Sequence, residues 1–153
     1  MNSQELLEIY HELVERLGPR YWWPADDPFE VIIGAILTQN TAWSNAATAT
    51  ANLKNQGLLY PEAIRHVTTE KLAEIIRASG YFNQKSKKIK EFVKYFFIRY
   101  DGSINKMREQ EIHSLRAELL ELHGIGPETA DAILLYALGK PIFVIDAYTH
   151  RIL

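Results

Sequence analysis

Near its carboxyl end the chain carries an aspartate that could act in acid–base or electrostatic catalysis. A turn with two glycines, Gly124 and Gly126, is separated from Asp146 by Gly139-Lys140-Pro141 and a short apolar stretch. A carboxylate can stabilise a developing positive charge and orient a water molecule. Aspartate is also a preferred helix N-cap, so Asp146 is predicted to begin a new helix. The two roles are compatible.

The segment 122–130 around the two glycines is typical of two helices joined by a tight turn. Glycine adopts the positive φ angles and leaves the exposed amides that such a turn uses. Backbone N–H groups and the amino end of a helix can bind a phosphate without reading base sequence. A plain αα-hairpin without a ligand explains the same glycines, so the turn alone leaves both interpretations open.

The elements that must position these groups are predicted to be helices, and the fold class is all-α. Apolar residues at helical spacing, with caps before them and glycines after them, predict the helices. They are a helix from a Ser3 cap to Gly18, one from an Asp27 cap with a capping-box Glu30 to Leu37, one over 42–55 with a Thr41 cap, one over 68–79, one over 84–99, and two that flank the glycine turn. Only 142–145 has strand-like composition, and four residues make no sheet.

Composition indicates a globular protein with no membrane segment. The 153 residues are 47% apolar and 24% charged, which is enough to bury one core. No apolar run approaches the roughly 20 residues of a membrane span, and Met1 leads into a polar, amphipathic stretch rather than a signal peptide. The expected location is therefore the cytoplasm or a bacterial or archaeal nucleoid, and the expected state is a monomer.

The net charge, the absence of cysteine and the scattered histidines limit which partners and metal ions the chain is expected to bind. The net charge is 17 − 19 = −2, which mildly opposes a nucleic-acid partner, so any DNA contact must depend on local geometry. Without cysteine, these residues can form neither a disulfide nor a thiolate-held metal site. The five histidines are scattered, so no metal site is expected.

The block 122–146 resembles the helix-hairpin-helix, glycine/proline-rich loop and aspartate of the endonuclease III superfamily of DNA glycosylases. The resemblance implies that Asp146 is the catalytic carboxylate. It also implies a phosphate-binding hairpin that comprises Leu122, Gly124, Ile125, Gly126 and Thr129. Members with AP-lyase activity carry a Schiff-base lysine two residues after the second glycine, where this chain has Glu128. Because a carboxylate cannot form an imine, a monofunctional N-glycosylase is expected.

Three upstream blocks, 21–24, 34–41 and 80–85, are similar to the branch that contains the bacterial 3-methyladenine DNA glycosylase III type. By that similarity Gln39 fills the gap left by a flipped nucleotide, and Asn83 and Lys85 are candidates for DNA backbone contacts. The implied base pocket comprises Trp22, Trp23, Pro24 and Trp43. Aromatic faces suit a cationic methylated base, with a cation–π preference of about 0.5–2 kcal/mol. The run of lysines from Lys85 to Lys94 could form a phosphate patch beside Asn83. The alternatives are that the tryptophans serve packing and that these lysines lie on a solvated helix face.

The resemblance also implies a domain organisation. A six-helix barrel-like domain is expected over 19–140, with the helix-hairpin-helix at 115–138. Residues 1–18 would be the first helix of a second lobe, and 141–153 the aspartate loop with the start of a truncated helix. The remainder of that lobe, where many members hold a 4Fe-4S cluster, is expected to be missing, so no cofactor is expected within this chain.

The expected partner is damaged double-stranded DNA, and the expected activity is removal of alkylated purines. Two alternatives stay open at this point. One is an endonuclease III-like glycosylase for another lesion, such as a thymine mismatch or an oxidised pyrimidine. The other is a non-catalytic helix-hairpin-helix DNA-binding module, which needs neither Asp146 nor an aromatic pocket.

Overall fold

The structure is a computed structural model that describes residues 1–20 and 23–153. That part of the chain contains ten α-helices and no β-strand, so the prediction of an all-α fold is confirmed. The helices are α1 (Ser3–Leu17), α2 (Pro28–Leu37), α3 (Trp43–Asn55), α4 (Pro61–His66), α5 (Thr69–Ile75), α6 (Phe82–Tyr100), α7 (Ile104–Arg108), α8 (Ile112–Glu121), α9 (Pro127–Ala132) and α10 (Ala147–Ile152). A 3-10 turn, Arg77–Ser79, follows α5, and a π-helical segment, Ile133–Ala137, continues α9.

The chain divides into two compact units. The first, which we call the Asp146 unit, comprises Met1–Pro24 and Ile145–Leu153 and contains α1 and α10. The second, the hairpin unit, comprises Ala25–Val144 and contains α2 to α9. No helix in the described ranges 1–20 and 23–153 is long and apolar enough to cross a bilayer.

Helix α2 lies at the centre of the hairpin unit. Every residue from Phe29 to Leu37 is buried, and α2 packs against α3, α6, α9 and the π-helical segment. Ile32, Ile33 and Leu37 have no exposed surface. Burying a side chain of this size contributes roughly 1.5–3 kcal/mol. This core therefore fixes the carboxyl end of α2, which leads directly into Gln39.

Helix α6 supplies the aromatic part of the same core. Its buried face includes Phe92 and Phe96, whose ring centroids are 5.7 Å apart, and Phe96 also stacks on Phe29 of α2 at 6.4 Å. Of the apolar stripe predicted for this helix, Ile89, Phe92, Val93 and Phe96 are buried and Phe97 is half-buried. The helix begins at Phe82, earlier than predicted, after Tyr81 in the left-handed region with φ 43°.

Several local predictions are wrong at element ends. Asn2, rather than Ser3, caps α1, because its side chain accepts the N–H of Glu5. Thr41 does not cap α3; its hydroxyl accepts from the Asn45 side chain. Asp27 does cap α2, but Glu30 accepts from the N–H of Asp26, one residue upstream of the predicted capping-box partner.

Two short helices were not predicted, and one predicted helix is interrupted. The missed helices, α4 and α7, are one to two turns long, too short for an apolar period to show in the sequence. The helix predicted over 68–79 ends at Ile75 and continues as the 3-10 turn Arg77–Ser79. The segment 142–145 has no regular secondary structure.

Candidate functional site

The turn between α8 and α9 has the form of a tight hairpin. Gly124 lies in the left-handed region with φ 81°, and a Cβ there would overlap the side-chain carbons of Lys88. Glycine is therefore required at this position both for its backbone angle and for close approach. Gly126 has φ −92°, which any residue adopts, and open space where a Cβ would lie. Of the two glycines of the turn, only Gly124 therefore has the positive φ that such a turn was expected to use.

The amino end of α9 presents backbone donors at the protein surface. Gly126 is its N-cap and Pro127 its first residue, and among the described residues no side chain caps this end. The first N–H groups of a helix have no intrahelical acceptor, and they attract anions. The exposed residues at this end are Gly126, Pro127 and Glu128. The side chain of Ile125, in the turn itself, is buried in the protein interior. This arrangement can bind a phosphate through the backbone.

The Gln39 side chain reaches this turn from the end of α2. Its amide nitrogen Nε2 donates to the carbonyl oxygen of Gly124 at 2.9 Å and to the hydroxyl of Thr129 at 3.0 Å. Its oxygen Oε1 accepts from the ammonium of Lys88 at 2.7 Å. The structure thus brings together Gln39 with two residues of the predicted phosphate-binding hairpin, although these residues are 85 and 90 positions apart in the chain.

Lys85 is a correction to the predicted DNA backbone contacts. It is 1% exposed, and its ammonium donates to the carbonyl oxygens of Leu37 at 2.8 Å and Ser79 at 2.6 Å. Burial, with a smaller contribution from the charge of Lys88, lowers the pKa of Lys85 to about 8. Lys85 therefore ties the carboxyl end of α2 to the 3-10 turn and cannot contact a phosphate from this position. Asn83, the other candidate, is exposed.

An ion pair joins the two helices of the hairpin. On α8, Arg116 donates through Nε to Asp131 Oδ1 at 2.7 Å and through a terminal nitrogen to Oδ2 at 3.1 Å. The Asp131 carboxylate is 8% exposed, so this two-point contact is largely shielded from water. The sequence does not single out the Arg116–Asp131 pair, since a contact across a turn leaves no periodic signal. It marks Lys88 only as one of the lysines from Lys85 to Lys94.

In the Asp146 unit, Asp146 is the N-cap of α10, as predicted. Its Oδ1 accepts from the Thr149 N–H at 2.7 Å and from the Thr149 hydroxyl at 2.8 Å, and the hydroxyl accepts the Asp146 N–H in return. These hydrogen bonds lower the pKa of Asp146 below its ordinary value. The carboxylate is half-buried and ionised at neutral pH, and Oδ2 takes neither bond from Thr149.

The predicted base-pocket residues are distributed over both units. Trp43 is the first residue of α3 and is 39% exposed. Trp23 is half-buried and Pro24 is exposed. Trp22 lies outside the described residues. Their grouping into one pocket stays a prediction.

Among the described residues, no group of three or more His, Asp or Glu side chains could hold a metal ion. A 4Fe-4S cluster held by cysteines does not fit this sequence, because it contains no cysteine.

Comparison with known proteins decides the family. The model of the HhH-GPD superfamily base excision DNA repair proteins matches residues 33–153, which include Gln39, the hairpin and Asp146. The chain belongs to the HhH-GPD superfamily. The predicted resemblance to endonuclease III-like DNA glycosylases is thereby confirmed, and the protein is a member of a DNA repair glycosylase family.

Three relatives are similar to this chain over nearly its whole length. A protein of Methanocaldococcus jannaschii, provisionally named as a DNA repair glycosylase, is 45% identical over 153 residues, which are 98% of this chain and 69% of that protein. Endonuclease III of Thermotoga maritima is 30% identical over 145 residues, which are 95% of this chain and 63% of that enzyme. The chain thus spans about two thirds of these relatives.

The third is a solved structure. The Helicobacter pylori 3-methyladenine DNA glycosylase, MagIII, bound to 1,N6-ethenoadenine, superposes with a TM-score of 0.82 at 34% identity. The match covers 97% of this chain and 70% of that chain. The fold of the chain is therefore that of a helix-hairpin-helix glycosylase.

Proposed function

We propose that the protein is a monofunctional DNA N-glycosylase that removes alkylated purines of the 3-methyladenine kind from double-stranded DNA, acting as a monomer. The observation that carries this proposal is Asp146, an ionised carboxylate held by Thr149 at the start of α10, within the segment that matches the family. The 34% identity to the H. pylori 3-methyladenine glycosylase supports the lesion class.

The proposed reaction breaks the bond between the sugar C1′ and the purine N9. The bonding electrons leave with the base, which is cationic when alkylated and departs neutral, so the enzyme does not need to protonate it. A positive charge then develops on the sugar, which the Asp146 carboxylate stabilises. A water oxygen bonds to C1′, and its proton passes to the carboxylate. Oδ2 is suited to both tasks, because both hydrogen bonds from Thr149 go to Oδ1.

Binding of the lesion requires that the base leave the helix stack. In the proposal the α9 amino end holds a phosphate, Gln39 fills the gap, and the aromatic residues receive the base. Trp43, at the start of α3 in the hairpin unit, is 39% exposed and is the first candidate for stacking on the base. By the family resemblance, Trp22, Trp23 and Pro24 are the further candidates for contact with the base. A cationic base on a tryptophan face gains about 0.5–2 kcal/mol.

The absence of an AP-lyase step is inferred from the residue at position 128. Glu128 is exposed in the first turn of α9, where lyases of this superfamily carry the imine-forming lysine. The amine of Lys85 is buried against two carbonyl oxygens and is not available in its place. The products would therefore be a free base and an intact strand with an abasic site.

A second candidate is an endonuclease III-like glycosylase for oxidised pyrimidines or mismatched thymine. The 30% identity to T. maritima endonuclease III favours it. The two candidates share the hairpin and Asp146 and differ in the base that the pocket accepts. They are therefore separable by lesion specificity alone.

The test uses the protein with duplexes that each bear one defined lesion, and with alkylated genomic DNA. Chromatography should detect free 3-methyladenine, strands should break only after alkali, and borohydride should trap no protein–DNA adduct. Strand breaks without alkali, together with a trapped adduct, would show a lyase. Release of oxidised pyrimidines alone would favour the second candidate, and tight binding without release of any base would indicate a non-catalytic module.

A further inference from the structure

The Gln39 amide is held by three different parts of the hairpin unit. Both Nε2 hydrogens have acceptors, the carbonyl oxygen of Gly124 at 2.9 Å and the hydroxyl of Thr129 at 3.0 Å. The Oε1 atom accepts from Lys88 at 2.7 Å. An amide has two donors at one end and an acceptor at the other, so this network is satisfied in one orientation. Rotating the amide by half a turn would place Oε1 against the Gly124 carbonyl oxygen.

Lys88 selects that orientation, because an ammonium group can donate and cannot accept. A hydrogen bond from a charged donor is also shorter and stronger than one between neutral groups. The same side chain covers the turn, since a Cβ at Gly124 would overlap its Cγ, Cδ and Cε. Lys88 is half-buried on α6 and thus contacts both the amide of Gln39 and the backbone of the hairpin.

We propose that Lys88 is a positioning residue for damaged DNA: it fixes the Gln39 amide against the hairpin, so that phosphate binding by the hairpin and gap filling by Gln39 occur as one rigid unit. The inference rests on the proposed function, in which Gln39 enters the gap left by the flipped nucleotide. Lys88 acts through Gln39 and contacts neither the base nor the reacting sugar.

Two other roles for Lys88 predict different results when binding to damaged and intact duplexes is compared. A lysine that only binds phosphate adds the same affinity to damaged and intact duplexes, because the phosphate contribution is independent of sequence. A lysine that restrains Gln39 in a resting position would oppose gap filling, and its removal would tighten binding to a duplex with a gap. A positioning lysine instead favours only the duplex in which a gap is filled.

The experiment measures dissociation constants of the full chain for an intact duplex and for one with a tetrahydrofuran abasic analogue. Lys88→Met keeps the carbon stem over Gly124 and removes the ammonium. We expect it to reduce the preference for the abasic duplex about tenfold, the typical effect of one charge-assisted hydrogen bond. Lys88→Arg should retain most of the preference. Lys87→Met removes one charge from an exposed neighbour on the same helix and should leave the preference unchanged.

A double-mutant cycle with Gln39→Ala gives the decisive comparison. In the Gln39→Ala background, Lys88→Met should cause no further loss of preference for the abasic duplex. In the protein that keeps Gln39, Lys88→Met should shift the side-chain amide NMR signals of Gln39. Additive effects, an equal loss on both duplexes, or a gain for the abasic duplex would each overturn the proposal. A parent without abasic preference would overturn it as well. Base release by the parent, assayed separately, shows whether the proposed function fails on its own.

Discussion

The hairpin and the Asp146 cap hold their polar groups in opposite ways. At the hairpin, the contacts come from residues far apart in the chain: Gln39 from the end of α2 and Lys88 from α6. At Asp146, the hydrogen bonds of the capping box are made with Thr149, three residues away. One region is a product of tertiary packing, and the other is formed by a single turn of helix.

This difference determines what a substitution can reveal. A locally formed cap tolerates another capping residue, so the charge of Asp146 can be removed while its structural role is kept. The hairpin depends on a network of distant side chains, so a change there affects geometry, stability and DNA binding together. Four predictions test this contrast, from the largest expected effect to the smallest.

The first prediction separates charge from capping at Asp146. Asn ranks with Asp as an N-cap, so Asp146→Asn should change the free energy of unfolding by no more than about 1 kcal/mol. It should slow excision at least about a hundredfold, the low end for loss of a general base, because Asn carries no charge and takes no proton. Single-turnover excision and urea unfolding measure the two effects.

Asp101→Asn is the matched control for this substitution. Asp101 is exposed, and its pKa is also lowered, by the hydrogen bond from Lys106. Asn also suits its left-handed backbone, with φ 51°. This variant should excise at the parental rate. Excision at the parental rate by Asp146→Asn would reduce Asp146 to a helix cap and remove the main support for the mechanism.

The second prediction concerns the ion pair inside the hairpin. Arg116→Met leaves the shielded carboxylate of Asp131 without its two-point partner, which should cost roughly 1.5–3 kcal/mol of unfolding free energy. It should also weaken binding to intact and abasic duplexes, because the two helices that carry the turn lose their connection. Urea unfolding and duplex titrations provide the measurements.

Arg99→Met makes the same substitution in a different setting. Its partner Glu118 still accepts hydrogen bonds from the hydroxyls of Tyr95 at 2.8 Å and Tyr100 at 2.6 Å, so the carboxylate stays satisfied. The loss of stability should therefore be smaller than for Arg116→Met. Equal losses of unfolding free energy in the two variants would show that the Arg116–Asp131 pair stabilises the fold no more than the Arg99–Glu118 pair does.

The third prediction extends the contrast to the base pocket. Trp43→Ala should weaken binding of free 3-methyladenine by roughly 1–3 kcal/mol, the usual contribution of one stacked aromatic ring. Trp22→Ala should have an effect of the same size if the two rings form a stacking pair. Tyr60→Ala, which truncates another exposed aromatic residue of the hairpin unit, is the control. Parental affinity for free base in both tryptophan variants would place the pocket elsewhere.

The last prediction is the smallest effect, a flat pH profile. The hydrogen bonds from Thr149 lower the pKa of Asp146 below the ordinary value of an aspartate, so its carboxylate stays ionised from neutral to mildly acidic pH. Single-turnover excision at saturating protein should not fall between pH 8 and about pH 5. A loss of activity with an apparent pKa near 6 that disappears in Asp146→Asn would show that the carboxyl titrates in a different environment.

The same lowered pKa has a consequence for stability. A carboxyl whose pKa is lower in the folded state binds fewer protons there than in the unfolded state. Its contribution is therefore present above the unfolded pKa and is lost as the pH falls through the folded one. Asp146→Asn should remove this small acid sensitivity, and urea unfolding at pH 5 and pH 3 would detect the change.

Much of the fold could be predicted from local sequence because its signals are local. The Asp27 cap with Pro28 predicted the start of α2, and the buried stripe of α6 followed from apolar residues at helical spacing. Short helices such as α4 gave no such signal, because a single turn contains too few positions for a period. The Ser3 cap was wrong because the neighbouring Asn2 fills that role, and the Thr41 cap was wrong because α3 begins after Ala42 without a side-chain cap.

The sequence by itself determined the all-α class, the glycine turn and the capping role of Asp146, since each depends on residues within a few positions of one another. The family resemblance that it carried was enough to single out Gln39 and the hairpin. Only the tertiary structure decided that Lys85 is buried, that Lys88 lies over Gly124, and that Arg116 pairs with Asp131. The reason is physical. The local sequence around a lysine on a helix does not show whether its ammonium group is hydrated or donates to a carbonyl oxygen, because tertiary packing determines its surroundings.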